Sequence, residues 1–161
     1  MSTIPAQDPP INSRFQTDGR VITEAEVEMF AALSGDHHPQ HMDEEWARGS
    51  LFGERIAHGM LVLSCATGLA PADPDRIVAL RRVEGTFKAP VRFGDEIHVE
   101  GELREAKPID DEHSLVTFAW RVRNQSGKTV ARAEVDVVWR QDAGTAPGDE
   151  LDEPVAGVVP L

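Results

Sequence analysis

Ile56-Ala-His-Gly-Met-Leu-Val-Leu-Ser-Cys-Ala-Thr-Gly-Leu-Ala70 is the stretch on which the fold turns. Wound as a helix it is apolar on nearly every side, and a helix apolar all round is buried all round. The uncharged run ends at Ala72, short of the roughly 20 residues that span a bilayer. A core helix is therefore expected, with no membrane association. Downstream the hydrophobic period changes to two. Ile97, Val99, Gly101 and Leu103 alternate with polar neighbours, as do Val116, Phe118, Trp120 and Val122, then Ala131, Ala133, Val135, Val137 and Trp139. That period marks strands with one buried face. A further strand covers about residues 77–87, and Gly94-Asp95 and Gln125-Ser126-Gly127-Lys128 are turns between strands,. Upstream, Thr23-Glu-Ala-Glu26 is a capping box,. Val27, Phe30 and Ala31, with Leu33 as a further candidate, give that helix an apolar face, and Gly35 ends it,. Residues 36–42 are expected as a loop because Pro39 disfavours α conformation at His38,. Asp43 then caps a short helix to Arg48. Helices followed by a mostly antiparallel meander make an α+β domain, with the buried helix on the sheet's inner face.

A chain of 161 residues suits one domain with a self-sufficient core, and 40% apolar with 27% charged residues excludes a wholly disordered chain,. Acids outnumber bases 28 to 16, a net charge of −12, so a general nucleic-acid binder or polybasic membrane binder is not expected. Cys65 is the single cysteine, which leaves no intrachain disulfide and no cysteine-rich zinc site,. A reducing cytoplasm is the expected location. Met1–Asn12 has no apolar h-region of a secretory signal,. The expected division is an N-terminal tail (1–14), one domain (15–140) and an acidic Pro/Gly tail (141–161). That last segment is either solvated or docked on a partner subunit through Val155, Val158, Val159 and Leu161,.

Two segments carry candidate chemistry, Ser34-Gly-Asp-His-His-Pro-Gln-His-Met-Asp43 and Phe52-Gly-Glu-Arg-Ile-Ala-His-Gly-Met-Leu61. In the first, Asp36 and His41 stand five apart on a proline-stiffened loop, a carboxylate and an imidazole suited to acid–base work on one water. In the second, His58-Gly59 opens the buried helix, where unpaired N–H groups and the positive dipole end can hold a developing oxyanion. Each residue also has a plainer reading: Asp36 as a turn residue, His41 as a surface histidine, Gly59 as a tight helix–sheet contact, His58 as a structural side chain. His37, His38 and His41 form no closed ligand set, so no metal is expected. Ser64 lies outside a G-x-S-x-G elbow, which disfavours a serine hydrolase,.

Taken together, Ser34–Asp43, Phe52–Leu61 and the later Phe87-Lys-Ala-Pro-Val-Arg-Phe-Gly-Asp95 resemble the patterns S-G-D-x-N-P-x-H-x-D and F-G-x-x-I-A-H-G-M-L and the strand-and-turn element of the MaoC-like dehydratases, or R-specific enoyl-CoA hydratases, of hotdog fold. The likeness spans about residues 18–140. It implies a curved antiparallel sheet around the central helix, catalytic roles for Asp36 and His41, and a thioester carbonyl polarised at the Gly59 N–H. The implied reaction is reversible addition of water across a trans-2-enoyl thioester, without metal or redox cofactor, in a homodimer. His38 stands where the family usually has Asn, and Gln40 where it usually has an aliphatic residue. A polar Gln40 is read as the mark of a polar or branched acyl group. His38, Gln40 and His58 are accordingly expected to contact substrate.

Arg81, Arg82, Lys88 and Arg92 cluster in sequence and are expected to form a basic patch for the anionic CoA carrier,. An acyl-carrier-protein thioester is less attractive, because two acidic proteins repel. Two rivals stay open: a hotdog thioesterase, and a non-catalytic acyl-thioester-binding subunit.

Overall fold

The computed structural model describes residues 11–141. Most of both tails therefore lies outside the described residues. Arg14, placed by sequence in the N-terminal tail, opens the first strand instead. Ten elements follow in order. Strands β1 (Arg14–Gln16) and β2 (Arg20–Val21) precede helices α1 (Glu24–Ser34), α2 (Pro39–Met42), α3 (Glu44–Arg48) and α4 (Gly59–Leu69). Strands β3 (Ile77–Phe87), β4 (Glu96–Pro108), β5 (His113–Asn124) and β6 (Thr129–Arg140) complete the domain. The sheet is antiparallel throughout, in the order β1-β4-β5-β6-β3, with β2 also on β4.

Local chemistry accounts for the element ends. Thr23 and Glu26 make the reciprocal capping box at α1, and Gly35 closes that helix at φ 79°, a conformation cheap for glycine,. Val27 and Ala31 are fully buried as read, but Leu33 is 85% exposed; two residues past Ala31, it lies on the opposite side of the helix. The segment 36–42 is not all loop. Pro39 cannot follow a helical His38, which stays extended at ψ 133°, yet its own fixed φ suits the first helical position, so it starts the single turn α2,. Asp43 ends α2 and caps α3 through its bond from the Trp46 N–H at 2.9 Å.

α4 begins at Gly59, three residues later than the apolar run, and is not buried on all sides. Leu61, Val62, Leu63, Cys65 and Ala66 face the core, while Met60, Ser64, Thr67 and Gly68 form an exposed stripe at helical spacing,. The Ser64 and Thr67 hydroxyls bond back to the Met60 and Leu63 carbonyls, which spares them a core partner. The long strands alternate as read: Ile97, Val99 and Leu103 on β4, Val116, Trp120 and Val122 on β5, and Val135 and Val137 on β6 join one cluster with α4. At β3 the helix comes very close. A Cβ on Gly85 would lie 2.8 Å from the Leu63 Cδ1, so only glycine fits there without a shift,. Among the described residues no helix is long and apolar enough to cross a membrane.

Candidate active site

The loop after α1 is tied down by its own polar groups. Ser34 Oγ donates to the Phe30 carbonyl at 2.7 Å and accepts the Asp36 N–H at 3.2 Å. Asp36 Oδ1 in turn accepts the His38 N–H at 3.2 Å, an Asx-type turn that aims its carboxylate,. His38 Nδ1 accepts the Gln40 N–H at 3.1 Å and so caps α2. That is the work expected of an asparagine oxygen at a helix start. The departure from the family residue thus leaves the turn capped. The His38 ring stands edge-on to Trp46 and to His41.

His41 rides on α2. Its Nδ1 donates to the Ile56 carbonyl at 2.7 Å, which leaves Nε2 as the free nitrogen,. Burial pushes the His41 pKa below its ordinary value; the Ile56 carbonyl and Asp36 oppose that shift, and His58 and His38 add to it,. Arg55 fastens the back of the turn. It donates from Nε to the His41 carbonyl at 2.6 Å, pairs with Glu24 at 2.6 Å and lies over the Phe93 ring. No sequence motif marks Arg55, because its partners are a main-chain oxygen and residues far along the chain.

His58 precedes α4 and is 1% exposed. Its Nε2 donates to the Asp36 main-chain carbonyl at 2.9 Å. Its ring stacks on His41 with centroids 4.0 Å apart and 28° between planes. It makes no side-chain cap on α4, so the first-turn N–H groups are left for another partner. Gly59 sits at that opening, where a Cβ would come within 2.7 Å of the Phe87 ring. The tight helix–sheet contact and the open N–H therefore share one residue.

Asp36, His41, His58 and Gly59 line one cavity of about 380 Å³, with Phe52, Val62, Phe87 and Val130 among its apolar walls. Asp36, His41 and His58 each bring a donor atom within 4.8 Å of the others. His41 Nδ1 and His58 Nε2 are already committed to main-chain carbonyls, which leaves the Asp36 carboxylate and His41 Nε2 as a pair able to hold a water. A larger hollow, about 680 Å³, lies on the sheet's other face among Glu84, Glu100, Glu102, Arg121 and Arg132. Neither candidate motif reaches it, and Glu102 is paired there with Arg14 and Arg104.

The remaining expected contacts fall elsewhere. Gln40 is buried, with its amide on the Glu54 carbonyl at 3.0 Å, and does not line the cavity. Neither does His38. Arg82 pairs with Glu84, Glu134 and Asp136 on the far side of the sheet. Arg92 pairs with Glu54, and Arg81 is exposed on β3 away from the cavity. Among the described residues Lys88 is the one Lys or Arg on the cavity wall. It is the one member of the expected basic cluster Arg81, Arg82, Lys88 and Arg92 that reaches the cavity.

Comparison with known proteins agrees with this geometry. A family model described as "MaoC like domain" matches residues 6–136. The (R)-specific enoyl-CoA hydratase of Aeromonas caviae is 38% identical over 117 residues, 70% of this chain and 83% of that one. Protein MaoC of Klebsiella aerogenes is 44% identical over 85 residues, 52% of this chain but a quarter (25%) of that longer protein. The crystal structure of the MaoC-like dehydratase from Rhodospirillum rubrum superposes with a TM-score of 0.75 at 29% identity, covering 84% of this chain and 95% of that one. With this fold and this coverage, the chain belongs to the MaoC-like domain family, a hotdog protein of the hydro-lyase class to which its hydratase relatives belong.

Proposed function

We propose that the protein catalyses the reversible hydration of a trans-2-enoyl-CoA to a 3-hydroxyacyl-CoA. One observation carries this reading: a carboxylate, an imidazole with a free nitrogen and an uncapped helix start meet on a single cavity. In this mechanism the Asp36 carboxylate and His41 Nε2 hold one water. Its oxygen adds to the β-carbon of the enoyl group while one of its protons passes through the pair to the α-carbon. The thioester oxygen gains negative charge as this happens, and the Gly59 N–H at the positive end of α4 stabilises it. Apolar walls around Val62, Phe87 and Val130 receive the acyl chain. Lys88 meets the anionic carrier, which the net charge of −12 would otherwise repel,.

The same reading includes a homodimer and a cytoplasmic setting. Among the described residues β3 has a neighbour on one side only, and it carries exposed Val78, Leu80, Val83 and Phe87. Such an edge is stable when covered. The single buried Cys65 suits a reducing compartment,.

The test is incubation with crotonyl-CoA and with longer and branched enoyl-CoAs, following enone absorbance and free thiol together. Loss of absorbance without thiol supports hydration. Thiol release would make the protein a thioesterase, and no change across the panel would make it an acyl-binding subunit.

A further inference from the structure

His58 is an expensive residue to bury. It is 1% exposed, and the inward side of the helix it precedes is otherwise built from Leu61, Val62, Leu63, Cys65 and Ala66. Its Nδ1 is buried with no hydrogen-bond partner among the described residues. An unmet polar atom of that kind is destabilising, and one kept in a folded core calls for a reason. The reason lies at the other nitrogen. Nε2 meets the Asp36 main-chain carbonyl at 2.9 Å, and since a carbonyl only accepts, that nitrogen carries the proton,.

The orientation of the ring has a second effect. His58 occupies the cap position of α4, where a serine or asparagine would bond back onto the first turn. It makes no such bond, because its ring is turned to the Asp36 loop. The ring lies 4.0 Å from His41, with Phe30 5.0 Å away. One side chain thus touches the peptide of the candidate carboxylate and the plane of the candidate imidazole, and it leaves the helix start beside them open.

We propose that His58 is a positioning residue: its Nε2–H fixes the Asp36 peptide and its ring fixes the plane of His41, so that both face the open first turn of α4. This role rests on the hydration reading for its effect on rate. It differs from the substrate contact expected from sequence, since His58 acts through Asp36 and His41.

The experiment compares His58→Leu, which keeps apolar bulk and loses the donor, with His58→Gln, which keeps an N–H near Nε2. With crotonyl-CoA, His58→Leu lowers kcat by ~100-fold, the scale of an ångström-sized misplacement, and leaves KM within about threefold. His58→Gln recovers at least tenfold of that loss (~1.4 kcal/mol). A folded His58→Leu with kcat within twofold of the parent overturns the proposal, and so do two folded variants equally impaired. A third measurement needs no variant and no activity: imidazole ¹⁵N shifts of the parent protein. They place the His58 proton on Nε2; a proton on Nδ1 instead overturns the proposal even if His58→Leu fails to fold. If the parent does not hydrate any enoyl-CoA, the functional reading falls. The positioning role is then judged by these shifts and by displacement of the His41 ring resonances in His58→Gln and His58→Leu.

Discussion

The His38 ring accepts the main-chain N–H of Gln40 at 3.1 Å and caps the turn that carries His41. An asparagine side chain reaches the same N–H, so His38→Asn is expected to keep kcat/KM within about threefold and melting temperature unchanged. His38→Ala removes the cap and is expected to cost ~1 kcal/mol of stability. Urea unfolding of the two variants separates these outcomes. A fully stable His38→Ala would show that the cap does nothing.

Gln40 bonds the Glu54 carbonyl and does not line the cavity. Gln40→Leu is therefore expected to lose ~0.5–1.5 kcal/mol, the net value of one hydrogen bond. Its preference between straight-chain and hydroxylated enoyl-CoAs should stay within twofold of the parent. A larger change in that ratio would return Gln40 to the substrate-contacting set.

Asp36→Asn and His41→Ala are each expected to fold and to cut hydration by at least ~100-fold. If, as proposed, the two groups act on one water, the double variant should be little worse than either single one. Additive losses would mean that they serve separate steps.

Burial lowers the His41 pKa from the ordinary histidine value of ~6.5,. A group depressed in the folded state stays unprotonated above that value and gains its proton only as pH falls through its lower folded pKa. Activity that needs a free Nε2 should persist below pH ~6.5 and fail on a limb centred lower. Stability linked to His41 erodes in the same direction. The acid limb of kcat/KM measures this, and a midpoint above 6.5 would contradict it.

Val83→Arg on the free edge of β3 is expected to convert a dimer of about twice 17.6 kDa into a monomer, read by light scattering,. Phe87 belongs both to that strand and to the cavity wall, so hydration should fall with the dimer. A parent protein that is monomeric at micromolar concentration would remove the dimer from the proposal.

What the sequence made legible follows from the range of each interaction. The α1 capping box, the Gly35 stop, the Asp43 cap and the alternating β4–β6 strands rest on neighbours a few residues apart, and a linear reading reaches them. Pro39 was read as a loop maker and is a helix starter; its locked φ serves both, and only the turn after it decides. Asp36, His41 and Gly59 were singled out by motif and do share a cavity. The basic cluster dispersed: Arg82 lies within β3 and pairs on the far face of the sheet, while Lys88 lies past the strand's end at Phe87 and reaches the cavity. Gln40 and His58 were taken for substrate contacts, yet Gln40 Nε2 meets the Glu54 main-chain oxygen outside the cavity, and His58 Nε2, on the cavity wall, meets that of Asp36. A main-chain oxygen has no residue type, so nothing in the sequence announces it as a partner.

The strand order has a consequence for synthesis. β3 is the first long strand to leave the ribosome, yet it pairs with β6, the last. Its register joins Phe87 to Ala131 and Ile77 to Trp139, so translation at about 5–20 residues per second leaves it waiting several seconds for a mate. Through that interval Val78, Leu80 and Val83 have neither a sheet neighbour nor a finished core. The two strands of this pair are also far apart along the chain, and the loop-closure entropy of that pairing slows its formation. The nascent chain is thus most exposed to aggregation along the very strand on which the proposed dimer would form.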